Sequence, residues 1–503
     1  MANQVGTASN LEDLFGKIIT FLTTDSALVA ANQDWIVNRQ FRDGLAGMTT
    51  NLTEPTTATS RKILHSFRYT PRSLNTNNPN TAEGYTQCTG YASGTSHISM
   101  TLRSAQEIKN VRLWAPNNSD VSTMLQNFRL QYSDNNSTWT TALTVSSNPT
   151  YAQNEIKDFA VPGTPGAHLY WRILIDRVQS GSGSSVTWRS LLLQLNDGTI
   201  ANHFGSEALL KAPGNSGTEN IYTGIRCEYD AANGWYNLFL MGYTGYDANV
   251  LDFFQQPGAL SGYGDVNPMV CPMVPCWNTS MPYWFAATGR SFRFGVKVST
   301  SFEGGYLGFF LPYATPGQYP YPLAVGGSLI PISGQRGVEW RYSYNDYRHS
   351  VFPTPGATSP PAQNTDATLY LRLPDGTWRS AGQRGTSNNP NTITRMTMSS
   401  TSPFGTGGPA IGVWPTCVHS TNMGDGCLPY REVLGGGYLL QPLILLQRLP
   451  TLAVWGELEG VYSISGFSNA AENTTTFGGV NHVVFQNVAR TEVQEYWALA
   501  LPA

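Results

Sequence analysis

Charge is scarce in this chain. Only 13% of its 503 residues are Asp, Glu, Lys or Arg, against an ordinary share of about 25%. A coiled coil or helical solenoid needs far more Lys and Glu, and both are excluded. Disorder is excluded by the 12% aromatic content, because disordered chains combine few aromatics with many charges. The formal net charge is −3, so there is no basic footprint and no nucleic-acid partner is expected. Cysteine is sparse too: Cys88, Cys227, Cys271, Cys276, Cys417 and Cys427 are too few for a disulfide-stapled secreted scaffold. Their spacings are not the CxxC of zinc sites. His419 lies between the last two and is the histidine to consider for a metal site there. Buried reduced thiols are the reading adopted, with no metal and no cofactor.

Long apolar runs are missing as well. Residues 438–455 are interrupted by Gln441, Pro442, Gln447, Arg448 and Pro450, whereas a membrane helix needs about 20 consecutive apolar residues. No membrane insertion is expected. The opening MANQVGTASN has neither the cationic nor the apolar part of a secretory leader, so synthesis in a reducing cytoplasm is expected, and Asn-x-Ser/Thr triplets such as those at Asn51 and Asn136 read as by-products of polar loops. There is no GxSxG elbow, GxxxxGK[ST] loop, GxGxxG turn, HExxH pair or EF-hand loop.

What is present is a chain of turns and short strands, with 50 Gly and 31 Pro. The start differs. Ser9 and Glu12 have capping-box spacing, and Leu11, Leu14, Phe15, Ile18, Ile19 and Leu22 form one apolar stripe of a helix. A second short helix begins at Asp25, and Trp35-Ile36-Val37 reads as a strand. The stripe must be covered, by the chain's own β domain or by a partner. From about residue 60 to 200, strands 98–102, 111–114, 128–132 and 171–175 alternate apolar and polar residues. Polar turns separate them, which indicates a sandwich or barrel. After residue 205 the alternation continues at 221–226, 236–242 and 292–298, while apolar 305–311 suits a strand buried on both faces. The Tyr/Pro loop 312–322 reads either as a docking surface or as a packed Ω-type loop. No fixed-period repeat is visible.

The segment 60–200 resembles the discoidin, or coagulation factor 5/8 C-type, domain. Carrying residues are Leu102, Ile108, Val111 and Leu113 at apolar positions; Phe128-Arg-Leu-Gln-Tyr-Ser-Asp-Asn-Asn-Ser-Thr-Trp139, similar to the family's strand and Ser-Asp-Asp-Gly-x-x-Trp hairpin; and Tyr170-Trp-Arg-Ile-Leu-Ile175 followed by Trp188-Arg-Ser-Leu-Leu-Leu-Gln-Leu195, similar to its closing strand pair. Asn135-Asn136 occupies the turn, where Asn tolerates left-handed φ. The resemblance implies a galactose-binding-like jelly-roll sandwich. The family's end-bridging cysteine pair is absent.

The remainder resembles virion-associated tail proteins of tailed bacteriophages, through Ile221-Tyr-Thr-Gly-Ile-Arg226, Trp277-Asn-Thr-Ser-Met-Pro-Tyr-Trp-Phe285, residues 305–322 and residues 14–35. This implies a tail or baseplate setting and no chemistry.

The expected fold is therefore mainly β and multidomain: a helical anchoring segment (1–58), a discoidin-like sandwich (59–200) and a larger β-rich C-terminal domain (201–503). The expected function is that of a structural and adhesion protein of a phage virion, made in the host cytoplasm. Leu14, Phe15, Ile18 and Leu22 would dock it to other virion proteins, and it would form a homo-oligomer within the particle. Host-surface carbohydrate would meet Tyr91, Trp114, Trp188 and Arg189, since sugar sites combine an aromatic face with guanidinium and amide donors. For Trp114 and Trp188 a core role competes with that reading, and Trp139 is assigned to the core. No catalytic residue is expected. The alternative is a tail-associated polysaccharide-degrading enzyme, for which Glu457 and Glu459, two apart on a strand and so on one face, are the carboxylate pair to consider.

Overall fold

The structure is a computed structural model. It describes residues 1–53, 86–116, 119–181, 184–188, 190–202, 205–231, 234–250, 253–254, 256–260, 272–328, 369–381, 411–414, 438–447, 453–466, 471–486 and 496–502. The chain divides into two compact units, 39–207 and 1–38 with 208–503. The helical start is thus not a unit of its own. It belongs with the C-terminal region.

In the unit 39–207, a five-stranded antiparallel sheet runs in the order Leu45–Thr50, His97–Gln106, His168–Val178, Leu125–Ser133, Thr140–Val145. A second sheet places Ile200–Asn202 beside Ser190–Leu195, then Ile108–Trp114 and Ile156–Ala160. Residues 41–43 run parallel to Ile200–Asn202. A short pair, Thr86–Thr89 with Ser185–Trp188, completes the set. Alternation dictates this packing, because period-2 strands place every second side chain inward. The inward set, including Ile98, Met100, Leu113, Phe128, Leu130, Trp171, Ile173 and Leu193, forms one buried cluster. This is the expected β-sandwich. One detail of the expected pairing differs, and the opening strands follow the same plan. Residues 170–175 and 190–195, read as a closing pair, lie in different sheets, and so do 98–102 and 108–113. Each apolar run faces its counterpart across the core instead of pairing along an edge.

In the other unit, helix α1 (Leu11–Thr24) is capped by Asn10, whose Oδ1 accepts from the Asp13 N–H at 2.9 Å. The Asp13 carboxylate reaches back to the Ser9 N–H at 2.7 Å. The expected Ser9/Glu12 box is therefore replaced by a cap at Asn10, with the Asp13 carboxylate reaching one residue further back to Ser9. The stripe Leu11, Leu14, Phe15, Ile18, Ile19 and Leu22 is at most 8% exposed and merges with core residues of the β strands. Phe21 meets the rings of Phe285 and Phe292 at 5.7 and 6.4 Å. Trp35 Nε1 donates to the Thr288 carbonyl at 2.9 Å.

Sequence reading missed the strand Ala2–Ala8, which pairs antiparallel with Met281–Ala287 through a full register. Its polar composition carries no strand signal, and tertiary pairing overrides propensity there. The ladder continues through Ser291–Val298, Ser301–Phe309 and Leu323–Gly326. Ser301–Phe309 is buried at every position, as the continuous apolar run required. Later strands include Tyr438–Gln447, Ala453–Gly466, Val480–Gln486 and Tyr496–Leu501.

The Tyr/Pro loop is packed through two of its tyrosines, while residues 313, 315–318 and 320 are exposed. Tyr319 is 1% exposed and donates to the Arg372 carbonyl at 2.6 Å. Tyr321 donates to the Tyr243 carbonyl at 2.8 Å and accepts the Tyr222 N–H. Tyr313 alone of these three tyrosines points out.

Candidate functional site

The five-stranded sheet has an inner face in the sandwich core and an outer face whose residues sequence alternation fixes. On the strand Leu125–Ser133 the outward positions include Arg129 and Gln131. On His168–Val178 they include Tyr170, Arg172 and Asp176. Register places Arg172 opposite Gln131 and Ser99, and Gln131 opposite Thr141, so these side chains share one row across the sheet.

From Arg172 to Thr141 that row is hydrogen-bonded. Arg172 Nε donates to Gln131 Oε1 at 2.7 Å, and Gln131 Nε2 donates to Thr141 Oγ1 at 3.0 Å. The Arg172 guanidinium lies over the Trp139 ring, 4.3 Å from its centroid, a cation–π distance. Trp139 is delivered by the hairpin turn. Asn135 Oδ1 accepts the N–H groups of Ser137 and Thr138 at 3.0 and 2.9 Å, and Asn136 takes φ 54°, the left-handed conformation that Asn tolerates. Trp139 is half-buried, not the core residue expected: one ring face carries the arginine. Burial, then repulsion from Arg129, lowers the Arg172 pKa from its ordinary value. No described carboxylate pairs with Arg172, and neither of its terminal nitrogens bonds another described residue.

Along the same strands, Arg129 makes a two-pronged contact to Asp176, at 3.0 and 2.8 Å. That bond raises the Arg129 pKa. The two side chains are 34% and 29% exposed, so the pair offers both donors and acceptors to solvent. Loop 91–96 closes on it. Tyr91 and Ser93 hydroxyls donate to the Asp176 carbonyl at 3.0 and 2.5 Å, and the Gly94 N–H, at φ 71°, donates to the Ile175 carbonyl at 2.8 Å. Half-exposed Tyr170, two residues from Arg172, adds a ring to the same face.

The expected sugar residues are not brought together. Trp188 is wholly buried and Trp114 is 8% exposed, with its Nε1 donating to the Asn154 carbonyl at 3.0 Å. Trp188 belongs to the sandwich core and Trp114 is buried, so neither presents an open face for stacking. Arg189 lies outside the described residues. Tyr91 is half-buried and holds the loop. The expected docking set is also corrected: Leu14, Phe15, Ile18 and Leu22 are 0–2% exposed inside their own unit and offer nothing to a partner. Glu457 accepts from the Tyr313 hydroxyl at 2.9 Å. Glu459 accepts from Ser291 Oγ at 2.5 Å and faces Arg293 at 3.4 Å. Cys88, Cys227 and Cys276 are buried, while Cys271, Cys417, His419 and Cys427 lie outside the described residues. Among the described residues no group of three metal-ligating side chains is found, and no helix is long and apolar enough to cross a membrane.

Arg129, Gln131, Tyr170, Arg172, Trp139 and Asp176 escaped the sequence search. The signal for most of them was present as the polar half of two alternating strands.

No family model matches the sequence, and no curated protein matches it. Solved structures that are similar include the family 32 carbohydrate-binding module of Clostridium perfringens NanJ in complex with galactose, at 13% identity over 31% of this chain and 98% of that one, TM-score 0.22. A Streptococcus pneumoniae fucose-binding module is similar at 12% identity over 31% of this chain and 97% of that one, TM-score 0.23. A C. perfringens family 32 module in complex with GalNAc-β-1,3-galactose is similar at 9% identity over 29% of this chain and 91% of that one, TM-score 0.22.

Proposed function

We propose that this is a glycan-binding adhesion protein that holds carbohydrate on the outer face of the five-stranded sheet. The observation that carries the reading is the Arg172 guanidinium, laid on half-buried Trp139 and fixed through Nε to Gln131. Its terminal nitrogens bond no other described residue and stay available as donors. Sugar hydroxyls need such fixed planar donors, and Tyr170 supplies an aromatic face for the apolar side of a ring. Asp176 and Arg129 add an acceptor and donors on the same surface. We read it as a binder: of the carboxylate pair considered for catalysis, Glu459 is committed to Arg293 and Ser291 and Glu457 to the Tyr313 hydroxyl. The setting we propose is a phage virion, supported by the tail-protein resemblance of residues 14–35, 221–226, 277–285 and 305–322. Attachment to the particle then runs through a surface other than the α1 stripe.

The test is a glycan panel probed with the full chain. Retention of at least one oligosaccharide class is expected, with no release of reducing ends on long incubation. Silence across the panel would refute glycan binding, and released reducing ends would favour the polysaccharide-degrading alternative.

A further inference from the structure

Among the described residues, the outer face of the five-stranded sheet carries one arginine without an acidic partner. Arg129 is neutralised by Asp176 at 2.8 Å, and Arg103, on the neighbouring strand, by Asp43 at 3.1 Å. Arg172 sits among them with no described carboxylate partner. It faces Gln131, a neutral amide, and Trp139, an electron-rich ring, while Ser99 and Thr141 complete its row. A half-buried cation normally acquires a counter-charge from its own protein. Here the ring and the amide hold it, and neither cancels its charge. The Nε edge is occupied. The two terminal nitrogens present the parallel donors that match the two oxygens of a carboxylate.

Resting on the glycan-binding reading, we infer that the ligand is an acidic sugar, and that Arg172 takes the carboxylate of a uronate or sialate residue in a two-pronged contact while Tyr170 packs on the ring. Trp139 and Gln131 act as positioning residues for the guanidinium.

The experiment measures equilibrium binding of the full chain to a galacturonate oligosaccharide, its fully methyl-esterified form, sialyllactose and lactose. The acid form of one pair is expected to bind about tenfold tighter than its neutral counterpart, the worth of one charge-assisted contact. The two acid arms tell uronate from sialate. Added salt should weaken the acid form and leave the neutral one unmoved. Arg172→Gln should collapse the acid–neutral gap, and Arg172→Lys should keep part of it, because charge survives while the planar fork is lost. Thermal midpoints matching the parent verify that both variants fold. Neutral and acid sugars bound equally would overturn this inference and leave glycan binding standing. An acid–neutral gap that survives Arg172→Gln would overturn the assignment to Arg172. Failure of all four ligands, together with a silent glycan panel, would remove the reading on which the inference rests.

Discussion

Replacing Leu14 and Ile18 together with alanine is expected to unfold, or bring close to unfolding, the unit formed by residues 1–38 and 208–503. Both side chains are fully buried, and they lie one turn apart on α1. Each truncation of a buried Leu or Ile to Ala costs about 2–5 kcal/mol, from lost transfer energy plus the cavity left behind. The pair therefore removes about 4–10 kcal/mol, allowing for imperfect additivity between neighbours. A domain's whole stability is about 5–15 kcal/mol. The core they enter is continuous with Phe285, Phe292 and Leu240, so the loss is transmitted to the sheet. Soluble yield and a denaturant melt of the isolated full chain report it. A stripe used only for docking would leave the melt where it was and change particle incorporation alone. An unshifted melt would show that the helix is dispensable to the fold.

Glu459→Ala is the second large effect. Arg293 is 0% exposed, and its Nη1 donates to Ser291 Oγ at 2.7 Å while facing Glu459 at 3.4 Å. Gly460, at φ 66°, leaves room for this arginine: a Cβ there would sit 2.6 Å from Arg293 Nε. Truncating the carboxylate strands a buried cation and is expected to cost about 3–5 kcal/mol. Arg293→Met alone strands the acid, which is partly exposed and so less penalised. The double variant Arg293→Met with Glu459→Leu should recover much of the loss, because apolar replacements of a buried pair are often tolerated. The readout is the unfolding midpoint of all three variants. Additive losses in the double variant would show that the two residues do not act as a pair.

The sequence alone revealed much of this fold, because binary patterning is local. Alternation at 98–102, 111–114, 128–132 and 171–175 placed strands correctly, and the i, i+3, i+4 stripe placed α1. Partnership between segments is not local. Nothing at 170–175 or 190–195 says that they belong to opposite sheets, and nothing in the stripe says that strands more than two hundred residues away cover it. The site was half legible. Trp114 and Trp188 attracted notice because they flank polar loops, yet tryptophan is drawn inward by its area. The polar positions Arg129, Gln131 and Arg172 were visible as the outward half of their strands. Their convergence needed the register between two strands some forty residues apart. Trp139 was misassigned because a hairpin tryptophan can turn to either face, and here a guanidinium decides which.

The affinity of Trp139→Ala for the tightest oligosaccharide of the panel, set beside that of the parent chain, tests the binding face most directly. Trp139 is half-buried outside the sandwich core, and its ring serves to hold Arg172. Binding should weaken about tenfold or more, since a freed arginine must be ordered again on binding, while the thermal midpoint moves by only a few degrees. Unchanged affinity in a folded Trp139→Ala protein would contradict the account and move the site off this sheet.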